Sequence, residues 1–77
     1  MKTFTAYIEY DQETKLYVGV IPCVTGAHSQ GASLDELKEN LKEALELCLE
    51  GYRERGELED LPQFVGLQQI ESTPASG

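Results

Sequence analysis

Residues 33–56, SLDELKENLKEALELCLEGYRERG, decide the fold, because this is the one stretch whose pattern admits a single reading. Ser33 supplies an N-cap oxygen, and Glu36 three residues later completes a capping box. Asp35 and Glu36 put negative charge in the first turn and Arg53 and Arg55 put positive charge in the last, matching the helix dipole. Gly56 is the expected stop. Between these ends Leu34, Leu37, Leu41, Ala44, Leu45, Cys48 and Tyr52 recur at three- and four-residue steps and form one apolar stripe. Leu49 borders that stripe, while Leu47 lies roughly 80–100° from its centre at about 100° per residue. One long helix must therefore bury one face against something else.

Upstream of it the period changes from helix to strand. In Thr3–Tyr10, Phe4, Ala6, Ile8 and Tyr10 fall on one side of a two-residue alternation, with Thr3, Thr5, Tyr7 and Glu9 on the other. Asp11–Thr14 has the composition of a hairpin loop. A second strand is expected over Lys15–Ile21, with Leu16, Val18 and Val20 on one face and Tyr17, Gly19 and Ile21 on the other. Gly19 leaves a gap for close approach, and Pro22, which lacks an N–H, closes the strand. Thr25-Gly26 reads as a turn and Ala27–Gln30 as a short third strand. Downstream of the helix, Gln63–Ile70 is a candidate fourth strand anchored by Phe64 and Val65. Residues 72–77 contain nothing that forms a core and read as a disordered tail. The expected architecture is α+β: an antiparallel sheet of three to four strands with one helix on one face, in the order β-β-β-α-β, within one domain over 1–71.

The whole chain has 77 residues, six Lys and Arg, and fourteen Asp and Glu, for a formal net charge of −8. One small core is the limit at this length. So acidic a surface repels phosphate, which makes nucleic acid a poor direct ligand and a basic protein a good one. No apolar run approaches the roughly 20 residues of a membrane helix, and Met1–Tyr7 lacks a signal core. Cys23 and Cys48 stand 25 positions apart without CxxC spacing, and with one histidine they cannot complete a four-ligand zinc site. A cytoplasmic protein with reduced, buried thiols is expected. A core this small commonly supplies only about 3–5 kcal/mol, so burial against another copy, as dimer or tetramer, is expected as well.

Residues able to carry chemistry are few. His28 is the sole histidine, and on a strand its neighbour Ser29 points to the opposite face. Glu36, Glu39, Glu43, Glu46 and Glu50 share about a quarter of the helix circumference, with Lys42 in reach of Glu39 and Glu46. On a convex helix such carboxylates diverge, which disfavours a metal and leaves a solvated face or a docking surface for a cation-rich partner. No phosphate-cradling glycine motif and no helix-turn-helix pattern occurs. No cofactor, metal or catalytic group is expected, and the protein is read as a non-enzyme.

The run Leu16-Tyr17-Val18-Gly19-Val20-Ile21-Pro22, then Gly26, then Ser29-Gln30-Gly31, leads into Ser33-Leu34-Asp35-Glu36-Leu37, Asn40, Glu43-Ala44 and Leu49. In order and spacing this resembles the N-terminal domain of HicB-type antitoxins over roughly Lys2–Tyr52. The matching motif positions are Tyr17, Pro22, Gly26, Ser29, Gly31, Ser33, Asn40 and Ala44. The family's usual Pro-Gly-Cys reads Thr25-Gly26-Ala27 here, and its Glu-Ala in the first helical turn reads Glu36-Leu37. The resemblance implies a partial RNase H-like sheet and helix without nuclease activity. It also implies binding to a small basic HicA-type mRNA-cleaving toxin, whose active site the antitoxin covers. Many members continue into a DNA-binding domain; with none before Gly77, operator binding is not expected of this chain. The surface assigned to the partner is the acidic helix face, chiefly Glu36, Glu39 and Glu43, with a sheet edge or the 23–31 loop open as alternative interfaces. An orphan homo-oligomeric structural or regulatory module without a toxin stays open as the alternative.

Overall fold

The computed structural model describes residues 2–74. Three antiparallel strands, β1 (Tyr7–Asp11), β2 (Leu16–Val20) and β3 (His28–Gly31), lie in sequence order in one sheet. They are followed by the helix α1 (Leu34–Glu54) and a short 3-10 turn, Leu58–Asp60. The register pairs Tyr7 with Val20, Tyr10 with Tyr17, Val18 with Gln30 and Gly19 with Ser29. Ile8, Tyr10, Tyr17, Gly19, Ser29 and Gly31 therefore share the helix side of the sheet, while Tyr7, Glu9, Val18, Val20, His28 and Gln30 share the other. The Tyr10 and Tyr17 rings meet edge to face at 5.0 Å.

The helix ends are set by local chemistry. Ser33 adopts extended backbone and its Oγ accepts from the N–H of Glu36 at 3.1 Å. Glu36 Oε1 reaches back past the cap and accepts from the N–H of Ala32 at 2.9 Å, one residue before the Ser33 amide that the expected capping box would use. At the other end Gly56 takes φ +69°, the N–H of Gly56 donates to Arg53, and that of Glu57 donates to Tyr52. This is the Schellman arrangement. Replacing Ser33 with Ala should cost about 1 kcal/mol, since an amide is left without its acceptor. Urea titration followed by helical circular dichroism would show it as a lower midpoint with an unchanged slope.

The core is more asymmetric than a helix stripe on a sheet suggests. Its buried members are Ile21, Val24, Ala27, Leu37 and Leu41, and three of these belong to the loop between β2 and β3. That loop closes on itself: Ile21 donates to the carbonyl of Ala27, Val24 to Ile21 and Ala27 to Val24, all within 3.0 Å. Gly26, at φ +90°, makes the turn and lets the loop lie against Cys48. Phe4, Ala6, Leu45, Leu49 and Tyr52 pack around this cluster. Cys23 and Cys48 are free thiols and only half-buried, because each sits at the margin of that cluster.

The strand bounds differ from the sequence expectations, β2 only by one residue at each end. The first strand begins at Tyr7 rather than Thr3, because β2 ends opposite it at Val20 and the chain then turns into the Ile21–Ala27 loop, leaving 3–6 without a partner. The third strand is shifted by one residue, its first expected member Ala27 being drawn into the core. The sheet has three strands, and residues 63–70 do not join it. Neither face of that segment carries an unbroken apolar series: Gly66 and Gln68 interrupt Phe64 and Ile70, and Gln69 ends the series Val65, Leu67. Of the tail expected from residue 72 onward, residues 75–77 lie outside the described residues.

Candidate functional site

Because one helix covers one face of the sheet, two surfaces remain for a partner. The first is the outer side of α1. Glu36, Glu39, Glu43, Glu46 and Glu50 are all exposed there. Among the described residues the single ion pair is Arg55 with Glu57, at 2.6 Å, and none of these five carboxylates is paired with a cation among them. Lys42 forms no ion pair with Glu39 or Glu46; it faces a groove on the β1 side of the helix instead. Glu36 differs from the others because one of its oxygens is held by the N–H of Ala32. Glu39 and Glu43 are free to act on solvent or a partner. Leu47, 71% exposed, adds an apolar element beside this acidic stripe.

The second surface is the uncovered face of the sheet. Tyr7, Glu9, Val18, Val20, His28 and Gln30 line a shallow concavity of about 550 Å³. The Tyr7 hydroxyl donates to Glu9 Oε2 at 2.9 Å, and that hydrogen bond, with the charge behind it, raises the phenol's pKa above its ordinary value. His28 is exposed here, while Ser29 points to the helix side. Among the described residues no carboxylate or hydroxyl hydrogen-bonds the His28 ring. Nor does any group of three or more His, Cys, Asp or Glu converge as a metal site would require among those residues. The arrangement offers surface and charge for association.

Of the motif positions singled out in the sequence, Tyr17, Ser29, Gly31, Ser33 and Asn40 gather around the β3–α1 junction, while Pro22 and Gly26 lie in the β2–β3 loop and Ala44 further along α1. Gly31 is buried against the backbone of Glu36 and Leu37, where a Cβ would lie 2.6 Å from the Leu37 nitrogen. Asn40 Nδ2 donates to the carbonyl of Gln30 at 2.8 Å, tying the second helical turn to β3. Ser33 caps between them. Tyr17 stands opposite Gly31, Ser29 opposite Gly19, and half-buried Ala44 follows on the same helix. Pro22 is exposed and opens the loop that Gly26 closes. These residues fix where the acidic face of α1 sits. The uncovered sheet face was absent from the sequence reading as a candidate, although a single helix over an amphipathic sheet already implies one.

A family model described as HicB_like antitoxin of bacterial toxin-antitoxin system matches residues 4–75. The chain belongs to this family. The chain is 54% identical over 70 residues to a UPF0150 protein of Thermotoga maritima, covering 91% of this chain and 89% of that protein. It is 43% identical over 68 residues to one of Archaeoglobus fulgidus, covering 88% and 91%. A UPF0150 protein of Synechocystis is 39% identical over 67 residues, covering 87% and 90%. No solved structure matches the chain. Among the described residues no helix is long and apolar enough to cross a membrane. In this HicB-like chain Ala27 stands where the resemblance places cysteine, and its complete burial explains why a small side chain is needed there.

Proposed function

We propose that this HicB-like protein is a non-enzymatic cytoplasmic antitoxin that binds a small basic HicA-type mRNA-cleaving toxin and covers its active site. The observation that carries the reading is the exposed row of carboxylates on α1 with no cationic partner among the described residues. A nuclease must present a cationic face to RNA, and an acidic protein competes for that face. Glu39 and Glu43 steer the encounter, with Glu36 contributing through its one uncommitted oxygen. Leu47 and the uncovered sheet face provide apolar area for the contact that persists after encounter. Charge of this kind speeds association and disfavours wrong partners more than it deepens affinity.

The test pairs the protein with the product of the adjacent small basic reading frame and follows cleavage of a labelled RNA. Cleavage should fall to background at an equimolar ratio, with a stable complex on gel filtration. Cleavage that persists at stoichiometric excess overturns the reading and favours the orphan module.

A further inference from the structure

The C-terminal half of α1 carries two features that its own fold does not use. The first is Leu47, which is 71% exposed and stands outside the stripe that packs on the core. The helix has one other exposed leucine, Leu34, but that side chain borders the groove beside β1. Leu47 is ringed by carboxylates instead. Glu43 and Glu50, four residues before it and three after, are its neighbours on the helix surface. Glu46 and Glu54 lie one turn to either side of Glu50, and all four are exposed.

The second feature is Gly51. A glycine inside a helix loses more backbone freedom on folding than alanine and weakens the helix. Close packing accounts for Gly19 and Gly31, where an added Cβ would run into Leu41 and into the backbone of Leu37. At Gly51 a Cβ would meet the flexible end of Arg55, at 3.2 Å. Nothing packed against it among the described residues requires a glycine.

Leu47 and Gly51 are four residues apart and so share one face of α1. With Cys48, Tyr52 and Thr25 of the β2–β3 loop they line a shallow hollow of about 440 Å³. Leu47 gives it an apolar wall, and the missing side chain at Gly51 leaves it open. Its far end is closed by groups that already have partners, since the Arg55 guanidinium lies 5.0 Å from the centre of the Tyr52 ring and pairs with Glu57. There is room for one large side chain of another protein.

Charge selects which protein that is. A second copy of this chain, at −8, is repelled by the carboxylates around Leu47. A surface whose apolar side chain is flanked by lysines and arginines is attracted. An apolar centre inside a charged rim is also the arrangement in which contacts at the centre carry most of the binding energy.

We propose that this hollow is where the basic toxin is held: an apolar side chain of the toxin enters between Thr25, Leu47 and Gly51, while the cations beside it meet Glu43, Glu50 and Glu54. The proposal rests on the toxin reading above and names the part of α1 that retains the partner. Glu39 and Glu43 steer the approach. Leu47 and Gly51 set how long the complex lasts, because packed apolar contacts act on dissociation.

Two replacements test it, both neutral, so that the field steering the encounter is kept. Leu47→Ser removes the apolar wall at an exposed position. Gly51→Gln fills the hollow with a side chain that a helix accepts. Binding of the full chain to the immobilised product of the adjacent small basic reading frame is followed in real time. Each replacement should raise the dissociation rate about tenfold or more and change the association rate by less than about twofold. Light scattering should give both variants the mass of the unaltered chain. A dissociation rate equal to that of the unaltered chain in either variant overturns the proposal and leaves the toxin reading standing. A loss confined to association overturns it by moving the hollow into the encounter, and a changed mass does so by assigning the hollow to contact between copies. An unaltered chain that does not bind overturns the toxin reading itself, and this proposal with it.

Discussion

Replacing Gly31 with Ala is expected to be the most damaging single-atom addition in the chain, lowering the melting temperature by about 10 °C or more. The cause is what the added methyl meets. It would lie 2.6 Å from the Leu37 nitrogen and 3.0 Å from both the Glu36 carbonyl carbon and the Leu37 Cα. All three are backbone atoms of the first helical turn, so no side chain can rotate away. To admit the methyl, the start of α1 must lift from β3, which strains the Asn40 to Gln30 hydrogen bond and the Ser33–Glu36 cap together. Overpacking of this kind costs about 1–3 kcal/mol and occasionally more, a large share of what so small a core supplies. Gly19→Ala should cost less: its methyl would meet Leu41 Cδ1 at 2.8 Å, the end of a side chain that can turn. Gly51→Ala should do the reverse and raise stability by about 0.5–1 kcal/mol, because Gly51 is helical and its nearest neighbour is the flexible end of Arg55. Thermal melts of the three variants check the order. Equal effects at Gly31 and Gly51 would mean that the β3–α1 contact is looser than described.

That contact also marks where reading the sequence succeeds and where it stops. The helix was legible because its signals are local: Ser33 and Glu36 are three residues apart, and Gly56 needs only its own backbone to end the helix. The two-residue alternation of strands was legible for the same reason, and it placed Ile8 and Tyr10 on one face correctly. Strand ends were not, since Tyr7 starts β1 only because its partner Val20 is the last residue before a loop. Val24 and Ala27 gave no periodic signal, yet they form part of the core, because a loop that satisfies its own amides can be buried. The acidic row on α1 was evident from spacing. The groove beside β1 was not, because it exists only through the choice of α1 to lie over β3, which no local pattern encodes.

The second large effect is expected in the rate of partner binding. Joint replacement Glu39→Lys and Glu43→Lys shifts the charge by two units at each site, taking the formal net charge from −8 to −4. Both side chains are exposed and unpaired, so the fold should hardly notice. Glu36 is left in place because its oxygen accepts from the Ala32 N–H at the helix start, and altering it would mix a stability loss into the measurement. Steering by a complementary field raises association rates by about 10–1,000-fold. The double replacement should therefore slow association with the proposed basic toxin about tenfold or more at low salt, with little change in dissociation. The difference should fade as salt rises, because the screening length shrinks from about 10 Å at 0.1 M to about 3 Å at 1 M. Stopped-flow association at several salt concentrations measures both features. An unchanged rate at low salt would remove α1 from the encounter and leave the uncovered sheet face, with Tyr7, Val20 and His28, as the surface that receives the toxin. A slower rate that ignores salt would mean that the lysines obstruct the contact sterically, since an effect of charge must weaken as ions screen it.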